Sequence, residues 1–301
     1  MELGMIGLGR MGGNMVERLV NGGHRVVGYS RTAEKRRQAV EKGAIEANSL
    51  PALVDALSPP RVVWLMVPHP AVDEVVEELS SSLTPADVVV DGGNSFYKDS
   101  VRRAAQLASK DIHFVDVGTS GGVWGLTEGY SLMVGGEKMV VEQLRPILEA
   151  LAPAPDRGWG HVGPPGAGHF VKMIHNGIEY GLMQAYAEGF GIMERKKEFD
   201  LDCQKVAEIW CHGSVIRSWL LELTAQVMAE SPNLDDVAPY VEDSGEGRWT
   251  VLEAIDLDQS APIITMALLQ RLRSRDQKSF PDRLLAALRN QFGGHDFRRK
   301  E

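Results

Sequence analysis

The stretch LGMIGLGRMG, residues 3–12, decides the fold class. Its apolar first half is typical of a short buried strand, and its second half fits the pattern G-x-G-x-x-G at the start of a helix. In this pattern Gly7 permits a tight turn, Gly9 lets the backbone approach a pyrophosphate, and Gly12 allows the helix to pack closely on the strand. The helix N-terminus offers N–H groups and a partial positive charge to phosphates. The stretch therefore predicts a dinucleotide site formed by Gly7, Leu8, Gly9, Arg10, Met11 and Gly12.

Strands and helices alternate through the first half of the chain. Further Val-rich strands are predicted at 24–30, 61–67, 87–93 and 112–118, with helical patterns at 33–43, 71–82 and 98–109. Uninterrupted apolar strands separated by helices are typical of a parallel sheet that is covered on both faces. The Pro/Gly-rich stretch 151–168 indicates a domain boundary, and the pattern beyond it is helical. We predict an α/β Rossmann-type doubly wound parallel sheet domain over residues 1–164, followed by an all-α C-terminal domain over residues 165–301.

Composition and charge exclude several classes of protein. The chain has 301 residues and a formal net charge of −9, which argues against general binding to nucleic acid or to an anionic membrane. No apolar run reaches the ~20 residues of a membrane span. The N-terminus enters a strand at once, which leaves no room for a signal peptide. Because the spacing of Cys203 and Cys211 suits neither a zinc site nor a redox pair, we expect a cytoplasmic protein without a metal site.

The end of the second predicted strand indicates which nicotinamide cofactor binds. An NAD site usually has an acidic residue there to hold the ribose hydroxyls, whereas this chain has Ser30, Arg31 and Thr32. A guanidinium can bind a 2′-phosphate through two hydrogen bonds, and hydroxyls can assist it. The sequence therefore favours NADP over NAD, the alternative being that Arg31 only decorates a surface loop. Residues that leave the next two strands are also predicted to lie along the cofactor: Met66, Val67, Pro68 and Asn94.

A polar seam runs along the predicted helix HFVKMIHNGIEYG, residues 169–181. Four residues at i, i+3, i+4 and i+7 share an arc of about 100°: Lys172, His175, Asn176 and Glu179. The remaining faces of the helix are apolar, and buried charge is costly unless it is paired or used. The seam therefore indicates a catalytic cleft, or else structural hydrogen bonding in an interdomain crevice.

The chain resembles the 6-phosphogluconate dehydrogenase family over nearly its whole length, in that family's short form. The segment 168–181 is similar to the family's signature. Six further motifs follow the family's order: GLGRMG (7–12), YSRT (29–32), DGGNS (91–95), TSGG (119–122), GRWT (247–250) and RNQFGGH (289–295). The resemblance implies oxidative decarboxylation of 6-phosphogluconate to ribulose 5-phosphate and CO₂, with reduction of NADP, in the pentose phosphate pathway.

The resemblance also implies roles for the polar seam. Lys172 would be the base that takes the proton of the 3-hydroxyl while the C3 hydride passes to NADP. After the 3-keto acid has lost CO₂, Glu179 would be the acid that protonates C1 of the enediol that remains. This chemistry needs no metal. Asn176 would hold the reacting hydroxyl, with His175 as a positioning donor. Residues of the loops after two strands would also touch the substrate: Asn94 and the carboxylate-binding Ser120, Gly121 and Gly122.

The phosphate end of the substrate has four matching residues in the family: Tyr180, Arg271, Arg289 and His295. In the family the C-terminal tail belongs to a neighbouring subunit, so the resemblance implies a homo-oligomer whose tail completes a neighbouring site. One departure concerns the Lys and Thr that precede the GKWT motif in the long form. Ser244 and Glu246 stand there in this chain; Ser244 can still donate a hydrogen bond, but a cation is missing and Glu246 is expected to repel the phosphate.

Two other functions stay open on the sequence. A β-hydroxyacid dehydrogenase of the 3-hydroxyisobutyrate type shares the Gly pattern, the Ser-Gly-Gly loop and a Lys-x-x-x-Asn helix. Glu179, Tyr180 and the C-terminal tail with Arg289 and His295 argue against it, because a small unphosphorylated acid would not require them. A non-catalytic dinucleotide-binding protein would have the same fold, and the set of Lys172, Asn176 and Glu179 argues against that function.

Overall fold

An eight-stranded sheet forms the centre of the first half of the molecule, in a computed structural model that describes residues 1–293. The strand order is β3-β2-β1-β4-β5-β6-β7-β8. The strands are β1 (Glu2–Ile6), β2 (Arg25–Tyr29), β3 (Ile45–Glu46), β4 (Val62–Leu65), β5 (Val88–Asp91), β6 (His113–Ser120), β7 (Ser131–Gly135) and β8 (Trp159–Gly163). All neighbours pair in parallel except β6 and β7. The predicted doubly wound fold is confirmed.

Helices cover both faces of this sheet. They are α1 (Arg10–Asn21), α2 (Ala33–Glu41), α3 (Leu50–Asp55), α4 (Val72–Ser80), α5 (Tyr97–Ala108), α6 (Gly125–Glu128), α7 (Lys138–Gln143) and α8 (Arg145–Leu151). Successive residues of a strand point to opposite faces. In β4, Val62 and Trp64 therefore enter one hydrophobic core, while Val63 and Leu65 enter the other. Burial on both sides explains why these strands are apolar without interruption.

Two strands at one end of the sheet do not follow the Val-rich pattern. β7 pairs antiparallel to β6, and β8 lies inside the stretch 151–168 that the sequence marks as a boundary. β8 has intermediate and exposed residues only, because it pairs on one side alone at the edge of the sheet. Its Gly residues and partial exposure leave no apolar run for a sequence pattern to detect.

The second half of the described chain is helical, as predicted. Its helices are α9 (Ala167–Arg195), α10 (Cys203–Trp210), α11 (Trp219–Glu230), α12 (Glu246–Asp256), α13 (Pro262–Arg275) and α14 (Phe280–Gly293). Side chains of Asp202 and Ser218 accept hydrogen bonds from the first turns of α10 and α11, which fixes where these helices begin. Through residue 293, no helix combines the length and the apolar character that crossing a bilayer requires.

Contacts divide the chain into two compact units, Met1–Asn176 and a second one that begins at Gly177. The division falls inside α9, whereas the sequence places the domain boundary at 164/165. The first turns of α9 belong with the sheet because they pack directly on β6, as described below. Further along α9 several apolar side chains are exposed, including Ile178 (52%), Leu182 (45%) and Ile192 (71%).

Candidate active site

The predicted phosphate turn joins β1 to α1. Gly7 has φ +94°, a conformation that other residues rarely adopt, and a Cβ there would collide with the Met66 carbonyl oxygen. A Cβ on Gly12 would collide with the Gly7 carbonyl oxygen. Gly9 directly precedes α1, and a Cβ at Gly9 would meet nothing within 4 Å. Gly7 and Gly12 thus permit close backbone packing, while the open side of Gly9 and the helix N-terminus fit a dinucleotide pyrophosphate.

The end of β2 carries the residues predicted to select the cofactor. The Arg31 side chain is exposed, and its guanidinium makes no hydrogen bond or ion pair with any residue that the structure describes. Arg36 differs, because its Nε lies 2.9 Å from a Glu46 carboxylate oxygen and its guanidinium donates to the Ser30 carbonyl oxygen at 2.7 Å. Thr32 directly precedes α2 without capping it through its side chain. The structure therefore leaves Arg31 accessible to a ligand and commits Arg36 to the protein.

Two loops follow β4 and β5 at the same edge of the sheet as the phosphate turn. The Met66 N–H donates to the Ile6 carbonyl oxygen at 2.7 Å, so residues 66–68 leave β4 beside the end of β1. Asn94 is exposed in the loop after β5. Asp91 shapes that loop by accepting hydrogen bonds from Ser95 Oγ at 2.7 Å and from the Gly93 N–H at 3.2 Å. Ligands of open α/β sheets bind at this edge, where the strand order reverses.

The start of α9 is held against β6. The Asp116 carboxylate is fully buried, and it accepts hydrogen bonds from the backbone N–H groups of Gly166 at 2.6 Å and His169 at 2.8 Å. Gly118 lies where the helix passes: a Cβ there would collide with Lys172 Cβ and lie 2.6 Å from the Gly168 carbonyl oxygen. Neither residue is among the site residues predicted from the sequence. The available signal was an isolated Asp inside the apolar strand pattern at 112–118.

Three of the four seam residues form one hydrogen-bonded cluster. Lys172 is only 7% exposed, and its Nζ donates to Asn176 Oδ1 at 2.7 Å. His175 Nδ1 lies 3.3 Å from Lys172 Nζ and 3.1 Å from Asn176 Oδ1. His175 Nε2 lies 3.4 Å from Ser120 Oγ, so the imidazole joins the helix to the loop after β6. In that loop Gly121 and Gly122 have φ +131° and +52°.

This cluster has the groups that proton abstraction from a hydroxyl requires. A buried lysine amine can act as a base when its surroundings favour the neutral form. The Asn176 amide orients that amine, and Ser120 adds a hydroxyl for a polar substrate group. Among the residues whose side chains are described, no group of three or more His, Cys, Asp or Glu side chains is placed to hold a metal ion.

A second set of predicted residues meets within the helical unit. Tyr180 is buried, and the Arg271 guanidinium carbon lies 3.4 Å from the centre of its ring. Arg271 also donates to the Glu242 carbonyl oxygen at 3.0 Å. Tyr180 Oη lies 3.5 Å from Ser244 Oγ, and Ser244 donates to the buried Glu246 carboxylate. The planar cation and the phenol suit an anionic group such as a phosphate. Ser244 can donate to such a group only if its hydroxyl turns away from Glu246, whose carboxylate would repel an anion.

The remaining predicted site residues have different outcomes. Glu179 is half-buried on α9, one residue before Tyr180. Arg289 is exposed in α14, and its side chain has no hydrogen bond or ion pair with the described part of the chain. His295 lies outside the described residues. The structure thus joins Tyr180, Ser244 and Arg271, and it does not bring Arg289 to them.

Two family models and a relative of the same length match the chain. The family model described as the NAD binding domain of 6-phosphogluconate dehydrogenase matches residues 2–162, and the one described as the 6-phosphogluconate dehydrogenase C-terminal domain matches residues 168–280. The NAD(+)-dependent, decarboxylating 6-phosphogluconate dehydrogenase of Haloferax volcanii is 45% identical over 303 residues, with 100% of both chains covered.

A longer relative and a solved structure agree. The NADP(+)-dependent, decarboxylating enzyme of Bacillus subtilis is 36% identical over 91% of this chain and 61% of its own length. The solved structure of Plasmodium falciparum 6-phosphogluconate dehydrogenase matches with a TM-score of 0.85 at 29% identity, covering 100% of this chain and 66% of that one. The resemblance seen in the sequence is confirmed: the chain belongs to the 6-phosphogluconate dehydrogenase family.

Proposed function

We propose that this chain oxidises and decarboxylates 6-phosphogluconate to ribulose 5-phosphate and CO₂, with a nicotinamide dinucleotide as hydride acceptor. The observation that carries the proposal is the buried cluster of Lys172, His175 and Asn176 on the first turns of α9, joined to Ser120. The relative from Haloferax volcanii, named as a decarboxylating enzyme, supports the same chemistry over the full length.

Each proton has a proposed donor or acceptor in the chain. The neutral Lys172 amine takes the proton of the substrate 3-hydroxyl as the C3 hydrogen leaves as hydride, which the oxidised nicotinamide accepts when bound. The product is a 3-keto acid, whose C1–C2 bond breaks to release CO₂ and leave its electron pair on an enolate. The Lys172 ammonium donates a hydrogen bond to that oxyanion. Glu179 then gives a proton to the carbon that lost CO₂.

We propose NADP as the preferred cofactor, with NAD as the weaker one. Arg31 supports this preference, because its exposed guanidinium has no described protein partner and can pair with a 2′-phosphate. Arg36 contributes less, because Glu46 neutralises it. Relatives named as NAD(+)-dependent and as NADP(+)-dependent both match the chain, so the ratio of the two affinities is the quantity to measure.

For the substrate, we propose that Tyr180, Ser244 and Arg271 bind the phosphate. Arg289 and His295 would come from a neighbouring copy in a homo-oligomer, and the exposed apolar residues of α9 support such a contact. We also propose the two domains predicted from the sequence: residues 1–164 bind the dinucleotide and contribute Ser120 to the substrate site, and residues 165–301 form the substrate and oligomerisation domain. A cytoplasmic location, which the cysteine usage favours, completes the proposal.

The test is turnover by the purified chain. With 6-phosphogluconate and NADP, we expect equal amounts of reduced cofactor and CO₂, and Lys172→Ala should abolish both. Reduced cofactor without CO₂ would contradict the decarboxylation step. Turnover of 3-hydroxyisobutyrate without turnover of 6-phosphogluconate would instead assign the chain to β-hydroxyacid oxidation.

A further inference from the structure

We propose that Asp116 is a positioning residue for Lys172: its buried carboxylate fixes the first turn of α9 and thereby the place of the lysine amine beside β6. The inference rests on the proposed role of Lys172 as the base. Asp116 itself lies in the middle of β6 and acts through the helix.

The first observation is that α9 begins without a side-chain cap of its own. The first N–H groups of a helix have no partner within it and need an acceptor. Gly166, which directly precedes α9, has no side chain to provide one. Asp116 on β6 supplies two acceptors instead: one carboxylate oxygen lies 2.6 Å from the Gly166 backbone nitrogen, and the other lies 2.8 Å from that of His169. A negative charge at a helix N-terminus is also favoured by the helix dipole.

The second observation is that the junction allows little movement. A Cβ on Gly135 would lie 2.6 Å from an Asp116 carboxylate oxygen, and one on Gly168 would lie 2.5 Å from the Asp116 carbonyl oxygen. From α5, Ser100 Oγ is 2.7 Å from His169 Nδ1, and both residues are fully buried. Lys172 follows His169 by three residues on a regular helix, so a shift at His169 moves Lys172 as well.

The third observation is that a buried carboxylate at position 116 lowers the stability of the fold. Burial raises the pKa of Asp116, more than its backbone donors and His169 lower it. The ionised carboxylate therefore costs folding free energy at neutral pH. A neutral side chain would avoid that cost but would not supply two acceptor oxygens that share a negative charge. Its hydrogen bonds to the turn that precedes Lys172 favour a role in positioning over one in stability alone.

The test compares Asp116→Asn with a matched control, Asp87→Asn. Asparagine keeps one oxygen and replaces the other with an NH₂ group. This group is a donor, so it cannot accept the hydrogen bond of the backbone N–H that it faces. Asp87 is also fully buried and accepts two backbone hydrogen bonds, from Arg61 at 2.7 Å and Thr84 at 2.8 Å. Asp87 directly precedes β5, so it lies at the opposite edge of the sheet from the loops that follow β1, β4, β5 and β6.

For Asp116→Asn we expect kcat to fall by about tenfold or more because the base is displaced. The dinucleotide Kd should stay within about twofold, since α1 is untouched. The isotope effect on kcat with substrate deuterated at C3 should rise as hydride transfer becomes slower. Amide hydrogen exchange in the ligand-free protein should accelerate at residues 166 and 169. Asp87→Asn should change none of these.

Several outcomes would overturn the inference. One is a wild-type kcat and isotope effect in Asp116→Asn; another is an equal loss in Asp87→Asn, which would indicate general destabilisation. Should Asp116→Asn not fold, Asp116→Ser offers a smaller neutral acceptor with the same expectations. If the wild-type chain does not turn over 6-phosphogluconate, the proposed function fails. Unchanged exchange at 166 and 169 would then overturn the anchor independently, and faster exchange would support it.

Discussion

Gly118→Ala measures how closely α9 must approach β6 for the chain to be active. The added methyl group would collide with Lys172 Cβ and lie 2.6 Å from the Gly168 carbonyl oxygen, whereas ordinary contact begins at 3.4 Å. The helix must therefore move away by about 0.8 Å or more, since an oxygen of the backbone cannot rotate aside as a side chain would. The displaced segment is the one that carries Lys172.

The magnitude follows from that displacement. A misplacement of about 1 Å at a reacting group can lower the rate by about 100-fold, equivalent to about 2.7 kcal/mol of activation free energy. Overpacking of a tight interior site lowers the free energy of unfolding by about 1–3 kcal/mol. We therefore expect a folded enzyme with a kcat near one hundredth of the wild-type value. Its dinucleotide Kd should stay unchanged, because the turn from Gly7 to Gly12 is not touched.

The assay is steady-state turnover of 6-phosphogluconate together with urea unfolding. Gly160→Ala is the matched control, because Gly160 also lies in a strand of the sheet and a Cβ there would meet nothing within 4 Å. A Gly118→Ala enzyme with a kcat within twofold of wild type would refute the argument. Equal losses in both variants would show that any added methyl group in the sheet has this effect.

Three further predictions concern other parts of the chain. Glu179→Gln should lower kcat strongly and leave the substrate KM within a few-fold, because an amide cannot deliver a proton; a wild-type kcat would exclude the acid role. Arg31→Ala should raise the Kd for NADP much more than that for NAD in a fluorescence titration, and equal effects would exclude a 2′-phosphate contact. The hydrogen bond from Arg103 holds the pKa of Asp73 below its usual value of 3.8, so the pair stabilises the fold above that pH and less as the pH falls through the folded-state pKa. Asp73→Asn should lower the Tm at pH 7 and flatten its acid dependence, and an unchanged acid slope would contradict this.

The parallel sheet could be predicted because its signals are local. Gly7, Gly9 and Gly12 lie within six residues, and an apolar run marks each of the strands β1, β2, β4, β5 and β6. The same holds for the polar seam, since helical periodicity alone places Lys172 and Asn176 on one face. No local pattern indicates Tyr180 and Arg271 as site residues. The family resemblance implied a role for both, and the structure stacks the Arg271 guanidinium on the Tyr180 ring.

The anchor of α9 could not be predicted, because its partners are distant in sequence. Asp116 meets backbone groups about 50 positions later, and nothing near Asp116 indicates that a helix will begin there. The neutralisation of Arg36 by Glu46 is non-local in the same way, since the two residues lie on different elements. Arg289 shows a further limit of sequence patterns, because the family resemblance implies a role for this residue without indicating which residues lie beside it.

The glycines at the junction of β6, β7 and α9 also determine where this enzyme can be altered. At Gly168 the nearest obstacles are all backbone atoms, and backbone atoms also stand close to Gly118 and Gly135. A clash with a side chain can be relieved by shortening that side chain, whereas a clash with a main-chain oxygen has no compensating substitution. Gly122 is different, since a Cβ there would meet nothing within 4 Å and its φ of +52° suits Asn or Asp. Libraries aimed at other sugar acids should therefore vary the loop after β6 and leave the junction unchanged.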